Sequence, residues 1–297
     1  MPESNTYYLG RISKLGSLTH EMIESAILAP ETTVWWSNGW SFFDAERHEY
    51  DGVTFLCAKL SKFNPDGEVI IADPRSRQEV VQSEPNLRIA SSYFIYIPSM
   101  AGIAFTKVYN HIDEFQFCRR FAQVINETHN NFFVDCEINL IADLHTFAQK
   151  LLSLESIIRI TATLNPPNPI WGPLWKPLRD YIKMRRADKM IIREEASKEV
   201  PLNTELPQHV QASAEQTPEN EYLPDAELPI GDAAILMAAD GYGVGTVKGL
   251  KAGETIVIRT TETIRNITFA RDHSPRELFE RVYKSFVQID KDRHMEH

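Results

Sequence analysis

The stretch NLRIASSYFIYIPSMAGIAFTKVYNHIDEFQFCRRFAQVI, residues 86–125, decides the fold class because two strand patterns precede one helix pattern. Ile89–Ile97 and Ile103–Tyr109 are apolar runs joined by Pro98–Gly102, which predicts a hairpin. Asn110 is then a suitable N-cap. The apolar face of the following helix is predicted to comprise Ile112, Phe115, Cys118, Phe121, Ala122 and Ile125. A hairpin followed by a core-facing helix predicts α and β elements around one core.

The same mixture of patterns continues on both sides of this stretch. Towards the N terminus, Trp40–Phe43 and Val53–Leu60 flank a turn at Asp51 and Gly52, which predicts another hairpin. Towards the C terminus, strand patterns alternate with helix patterns. These further strand patterns are residues 132–141, 157–164 and 190–193. The sequence therefore predicts an α+β fold with a mixed or antiparallel sheet and interleaved helices.

The C-terminal residues predict a small helix-hairpin-helix unit. Lys251–Gly253 form a turn between two strand patterns. Ser274 and Glu277 then form a capping box, with Pro275 at the first helical position. The predicted domains are a β-rich part (1–85), an α/β core (86–195), a flexible acidic linker (196–228) and the C-terminal unit (229–297). Proline, glutamate, serine, threonine and glutamine dominate the linker, so it cannot bury enough apolar surface to offset ordering entropy.

Composition limits the class of protein. The chain has 297 residues, is 43% hydrophobic and carries a formal charge of −10, so it can bury a core without metals or disulfides. No segment approaches the roughly 20 apolar residues of a membrane helix, and the N terminus does not resemble a signal peptide. We expect a cytoplasmic protein that does not contact membranes. Cys57, Cys118 and Cys136 lack metal-site or redox-pair spacing, which predicts buried free thiols and no cofactor.

The readily recognised catalytic motifs are missing from the sequence. The glycines of residues 241–249 lie between a helix pattern and a strand pattern, the reverse of the order in a dinucleotide-binding fingerprint. The nine histidines share no metal-binding pattern, and the acidic residues at 73–79 lack nuclease spacing. We therefore assign no catalytic residue and no metal ligand.

The strongest basic cluster lies within residues 171–193, where only Asp180 and Asp188 oppose the positive charges. The candidate nucleic-acid-binding residues are Lys176, Arg179, Lys183, Arg185, Arg186 and Lys189, with Trp171 and Trp175 for base stacking. A solvated helix face is the commoner explanation of such a cluster. The negative net charge also argues against a protein that binds nucleic acid non-specifically through long-range electrostatic attraction.

The arrangement of these features resembles bacterial proteins of mobile elements and anti-phage loci, loosely similar to the phage-exclusion protein RexA. The resemblance rests on the β-rich start and on Ser91–Tyr109, Asn165–Gly172 and Gly241–Thr261. It spans most of the chain but includes no diagnostic motif. It implies a role in phage defence or exclusion, with DNA contact, and supplies no catalytic residues.

Two hypotheses follow. The leading one is a non-enzymatic component of an anti-phage defence or exclusion system that binds nucleic acid or another defence-system protein through the basic cluster. The alternative is a nuclease or toxin effector whose active site is assembled from scattered residues. A homodimer is expected in either case, because self-association often covers exposed strand edges.

Overall fold

Both strands and helices are present in the computed structural model, which describes residues 4–75, 77–165, 176–185, 187–216, 222 and 227–291. The strands are β1 (Ser4–Gly16), β2 (Thr33–Trp35), β3 (Asn38–Tyr50), β4 (Val53–Asn64), β5 (Glu68–Asp73), β6 (Gln78–Ser83), β7 (Leu87–Ile97), β8 (Gly102–Thr106), β9 (Val134–Leu140), β10 (Ser156–Leu164), β11 (Met190–Glu195), β12 (Gly243–Lys251), β13 (Glu254–Arg259) and β14 (Asn266–Ala270). The helices are α1 (His20–Leu28), α2 (Glu114–Thr128), α3 (Leu144–Leu152), α4 (Lys176–Arg185), α5 (Leu206–Glu215), α6 (Ile230–Met237) and α7 (Pro275–Lys291). The predicted α+β class is confirmed.

The chain divides into two compact units. The first unit comprises residues 1–13, 100–103 and 138–297, and the second unit comprises residues 14–99 and 104–137. Strands β1, β8 and β9 each belong partly to both units.

In the second unit, hydrogen-bonded strands follow the order β8–β7–β4–β3–β2. The hairpin predicted between β3 and β4 is confirmed, since Tyr50 pairs with Val53. Its turn residues Asp51 and Gly52 have φ of 49° and 75°. Positive φ at both central residues is typical of the type I′ turn, whose twist matches that of the flanking strands. Strands β5 and β6 form a separate two-stranded ribbon.

Helix α2 covers one face of this sheet with aromatic side chains. Phe117 and Phe121 are fully buried. The ring of Phe121 lies 5.0 Å from that of Phe42 on β3 and 5.3 Å from that of Phe94 on β7. Such tilted and edge-to-face contacts stabilise an aromatic core beyond the burial of area.

Two predictions about α2 are wrong. The N-cap is Asp113, whose Oδ1 accepts a hydrogen bond of 2.7 Å from the backbone N–H of Gln116, whereas Asn110 lies in the preceding turn. Phe115, predicted on the core face, is 50% exposed. The first error follows from the start of the helix at Glu114, later than predicted. The second concerns the face, since the buried apolar residues of the helix are Phe117, Phe121, Val124 and Ile125.

The first unit contains a four-stranded antiparallel sheet in the order β11–β10–β12–β13. Helices α3, α4 and α6 contribute Phe147, Ile182 and Ile235 to a core that also includes Ile160 and Val247 of the sheet. Helix α4 has Pro177 in its first turn, a position that suits proline.

The small C-terminal unit predicted for residues 229–297 is not confirmed. Its hairpin, β12 and β13, is present, but β12 also pairs with β10 along most of its length. Strand β14 pairs with β1 at the other end of the sequence. Long-range pairing therefore incorporates these elements into larger sheets.

Helix α5 lies inside the range 196–228, for which the composition predicts a flexible linker. Leu206 and Val210 are fully buried and belong to the core of the first unit. Thr204, just before the helix, donates a hydrogen bond of 2.6 Å to the buried carboxylate of Asp232. Two apolar residues one turn apart form no visible period in a polar segment, so the sequence gives no sign of this helix. Residues 217–221 and 223–226 of the predicted linker lie outside the described residues.

The predicted capping box of the last helix is confirmed. The Ser274 hydroxyl accepts a hydrogen bond of 3.3 Å from the backbone N–H of Glu277, and the Glu277 carboxylate accepts one of 2.8 Å from the backbone N–H of Ser274. Within the described part of the chain, every helix is too short or too polar to span a bilayer.

Candidate functional site

The basic cluster predicted from the sequence lies on and after α4. Lys176, Arg179 and Lys183 are residues of this helix, and their side chains are not among those described. Arg185 is exposed at its end, and Lys189 is exposed just before β11. Trp171, Trp175 and Arg186 lie outside the described residues.

One cation at the end of this cluster is neutralised. The Arg193 side chain, on β11, donates a hydrogen bond of 3.1 Å from Nε to the Glu195 carboxylate. Arg159 on β10 also forms an ion pair with Glu195. Arg193 is therefore a less suitable phosphate ligand than the sequence suggests, since an anion would have to compete with this carboxylate.

A second site lies in the second unit, on the sheet face opposite α2. Successive side chains of a strand point to opposite faces. Phe42 of β3 contacts α2, so its neighbour Phe43 belongs to the other face. The strand register places Phe43 opposite Lys59 of β4, and Lys59 opposite Tyr93 of β7. A second row on this face joins Ser41, Ser61 and Ser91.

Two cavities lie against this face. The larger has a volume of about 430 Å³, within the range typical of small-molecule sites. It is lined by Thr32, Phe43, Asp44, Lys59, Ser61, Phe63, Asn86, Arg88 and Ser91. The smaller, of about 310 Å³, is lined by Lys59, Arg88, Ile89, Ala90, Ser91 and Tyr93. The two cavities thus share Lys59, Arg88 and Ser91, and we call them the paired cavities.

An extra residue in β7 brings Arg88 to this site. Ala90 pairs with Lys62 of β4, but the next partner along β4, Phe63, pairs with Arg88, so Ile89 is additional. An extra residue of this kind is a β-bulge, which re-aims the side chains next to it. Arg88 is exposed, and no carboxylate in the described chain forms an ion pair with it.

A second extra residue, in β3, brings a carboxylate to the site. Phe43 pairs with Lys59 and Glu46 with Cys57, so Asp44 and Ala45 together stand opposite Ala58. Asp44 has φ of 51°, and its Oδ2 accepts a hydrogen bond of 2.7 Å from Lys59 Nζ. The larger cavity therefore has two cations and one carboxylate along its lining.

The apolar part of the larger cavity consists of two aromatic rings. Phe43 and Phe63 meet edge to face, with centroids 5.9 Å apart, and Phe43 remains 45% exposed. Gly39, opposite Phe63, makes this arrangement possible, because a Cβ there would lie 2.4 Å from the Phe63 ring. The exposed ring of Phe43 offers a stacking surface for a planar group.

The polar groups of the paired cavities favour binding over nucleophilic catalysis. The hydroxyls of Ser61 and Ser91 lie 2.7 Å apart and hydrogen-bond to each other. The cysteines are free, as predicted, and burial raises the pKa of the nearby Cys57 thiol to about 11. That thiol is therefore protonated at neutral pH and a poor nucleophile. Across the described ranges, no three His, Cys, Asp or Glu residues are grouped so that they could hold a metal ion.

Sequence reasoning missed these cavities. The sequence carries only a partial signal of a two-faced sheet, because small or polar residues alternate with apolar ones over Gly39–Phe42 and over Lys59–Ser61. The two β-bulges have no such signal, and they bring Asp44 and Arg88 to the site. A comparison of the chain with protein-family models and with curated proteins found no match.

Proposed function

We propose that the protein is a cytoplasmic, non-enzymatic protein that binds single-stranded nucleic acid in the paired cavities. One observation carries the proposal: the two cavities share two cations, of which Arg88 has no ion pair in the described chain and Lys59 is paired with Asp44. A nucleic acid has a phosphate between every two nucleosides, so a phosphate at these cations would have one nucleoside in each cavity.

The remaining lining suits the same ligand. An exposed aromatic ring such as Phe43 stacks on any base. In proteins that bind single strands, positively charged side chains beside such rings lie along the phosphate backbone of the nucleic acid. Tyr93 lines the smaller cavity, where the neighbouring nucleoside would lie. A free nucleotide would occupy only one cavity, which favours a polymer as the ligand.

We also propose that the basic cluster on and after α4 binds phosphates. Arg185 and Lys189 are exposed there. Replacing Arg185 and Arg186 together by alanine should reduce the slope of log affinity against log salt by about one for each phosphate that the variant no longer binds.

Fluorescence anisotropy with a labelled single-stranded oligonucleotide across a salt series tests the main proposal. Arg88→Ala should weaken binding roughly tenfold, the usual value of a charged hydrogen bond. The matched control is Arg119→Ala, which removes an exposed arginine of the same unit that does not line the paired cavities. Equally weakened binding in the two variants, or no binding by the parent protein at low salt, would contradict the proposal and favour a protein partner.

The biological context that we propose is phage defence or exclusion, on the strength of the resemblance described above. Cells with and without the gene would be challenged with phages, and fewer plaques are expected on cells that carry it. Failure of Arg88→Ala to protect the cells would connect the binding site with the defence. Metal-dependent cleavage of the oligonucleotides would favour a nuclease or toxin effector instead. Light scattering after size-exclusion chromatography tests the expected homodimer.

A further inference from the structure

We propose that Asp44 determines base specificity, so that the larger cavity prefers an unpaired guanine. This inference rests on the proposed function and adds a sequence preference to it. The carboxylate lines the same cavity as the exposed ring of Phe43, on which the base would stack.

The backbone at Asp44 is the first support. Asp44 has φ of 51°, in the left-handed region, which aspartate adopts more readily than most residues other than glycine. The residue lies in a β-bulge, and β-bulges are over-represented next to functional sites, where they re-aim a side chain. Here the side chain beside the extra residue lines a cavity.

The chemistry of the carboxylate is the second support. An ionised carboxylate only accepts hydrogen bonds and offers about four lone-pair positions. Lys59 occupies one position on Oδ2, while Oδ1 has no hydrogen bond within the described chain. The carboxylate is thus oriented by Lys59 and still able to accept two donors from a ligand.

Among the bases, this acceptor pair selects guanine. The Watson–Crick edge of guanine presents two adjacent donors, N1–H and the N2 amino group. Adenine and cytosine each present one amino donor beside an acceptor, and thymine presents one N–H between two carbonyl oxygens. Since pairing occupies this edge in a duplex, the guanine has to be in a single strand.

The alternative is that Asp44 only neutralises Lys59. In that case the bases would bind equally, and removal of the Asp44 charge would strengthen binding of every oligonucleotide alike. The two possibilities therefore predict different orders of affinity among the bases, and not only a different overall affinity.

The test uses fluorescence anisotropy with oligothymidylates that carry one central guanine, adenine, cytosine, hypoxanthine or thymine. We expect the parent protein to prefer guanine over thymine roughly tenfold, as for one good bidentate contact. Hypoxanthine, which lacks the N2 amino group, should fall between them. Asp44→Asn should abolish the preference but still bind. The matched control is Asp51→Asn, which changes another exposed aspartate of positive φ that lies outside the paired cavities. This variant should keep the preference for guanine.

Each outcome is decisive. Equal binding of all the bases by the parent protein, or a preference retained in Asp44→Asn, overturns the inference and leaves the proposed function standing. Equal binding of a blunt duplex with the same guanine overturns its single-strand part. Absence of binding to every oligonucleotide overturns the proposed function and this inference together. If Asp44→Asn fails to fold, the ranking of guanine above hypoxanthine in the parent protein still decides the question.

Discussion

Single residues with unusual surroundings distinguish this chain, and His20 is one of them. It begins α1 and is partly buried, with its Nδ1 2.6 Å from the hydroxyl of Tyr96. Burial, together with the smaller effect of the positive charge of Lys14, lowers the pKa of His20 to about 4, although the carboxylate of Glu21 acts in the opposite direction. The folded protein therefore keeps this imidazole neutral at pH values where an unfolded chain would protonate it.

This pKa predicts a loss of stability in mild acid. Between pH 6.5 and about 4, the unfolded chain binds a proton at His20 that the folded chain does not. The free energy of unfolding therefore decreases as the pH is lowered through this range. His20→Gln keeps a hydrogen-bonding group but cannot titrate, and urea unfolding at pH 7 and pH 5 should show a smaller decrease in this variant. His111→Gln, which removes an exposed histidine, is the matched control. An identical decrease in His20→Gln would contradict the prediction.

At the scale of the element, the ends of helices are the best understood features. The capping box of α7 joins Ser274 and Glu277 through backbone N–H groups that the helix itself cannot satisfy. Ser274→Ala should therefore lower the free energy of unfolding by about 0.5 to 2 kcal/mol. Ser285→Ala is the matched control, because Ser285 lies inside the same helix, where alanine is preferred. Equal effects of the two changes in chemical denaturation would show that Ser274 is not the cap.

Helix α5 provides a second prediction at this scale. Because Leu206 is fully buried, Leu206→Ala should cost about 2 to 5 kcal/mol, the usual cost of such a truncation in a core. Gln208 lies on the exposed side of the same helix, so Gln208→Ala should change stability by less than about 0.5 kcal/mol. Urea unfolding followed by circular dichroism measures both. A negligible effect of Leu206→Ala would mean that the segment behaves as the flexible linker expected from its composition.

Across the whole molecule, a buried ion pair joins the two ends of the chain within the first unit. Arg11 of β1 and Asp290 of α7 are each 1% exposed and form an ion pair across 279 positions of sequence. Arg11 also donates hydrogen bonds to the backbone carbonyls of Met100 and Asp240, at 2.9 and 3.1 Å. Its guanidinium lies 5.1 Å from the ring centroid of Tyr242. These contacts satisfy a charge that would otherwise be costly to bury.

Breaking this pair should be among the most destabilising single changes in the first unit. Arg11→Met leaves Asp290 buried without its counter-ion, which typically costs about 3 to 5 kcal/mol. Asp290→Leu added to Arg11→Met should recover part of that stability, since an apolar pair can replace a buried ion pair. Arg276→Met removes an exposed pair with Glu280 and should change stability by less than about 1 kcal/mol. A double-mutant cycle by urea denaturation tests this, and additive effects of the two substitutions would contradict it.

Sequence patterns alone predict the local features of this protein. The α+β class, the turn at Asp51 and Gly52 and the capping box at Ser274 and Glu277 all follow from short stretches of the chain. Each depends on residues that are close in sequence: a strand or helix period, a turn that needs positive φ, or a side chain that caps a nearby N–H. The start of α2 is misplaced by such reasoning because Asn110 and Asp113 are both good caps, and only packing distinguishes them.

The candidate site and the long-range contacts depend on the tertiary structure. Arg88 stands opposite Phe63, and Asp44 beside Lys59, only because one strand on each side of β4 has an extra residue. No local sequence pattern predicts a β-bulge, since its position depends on the register in which the strands of the whole sheet pair. The burial of α5 and the pair of Arg11 with Asp290 have the same origin. Propensity and periodicity act over a few residues, whereas register and burial depend on residues far apart in the chain. The sequence by itself therefore determined the elements that have a visible period, turn or cap, whereas the burial of α5 and the pairing that decides which side chains meet depended on the tertiary structure.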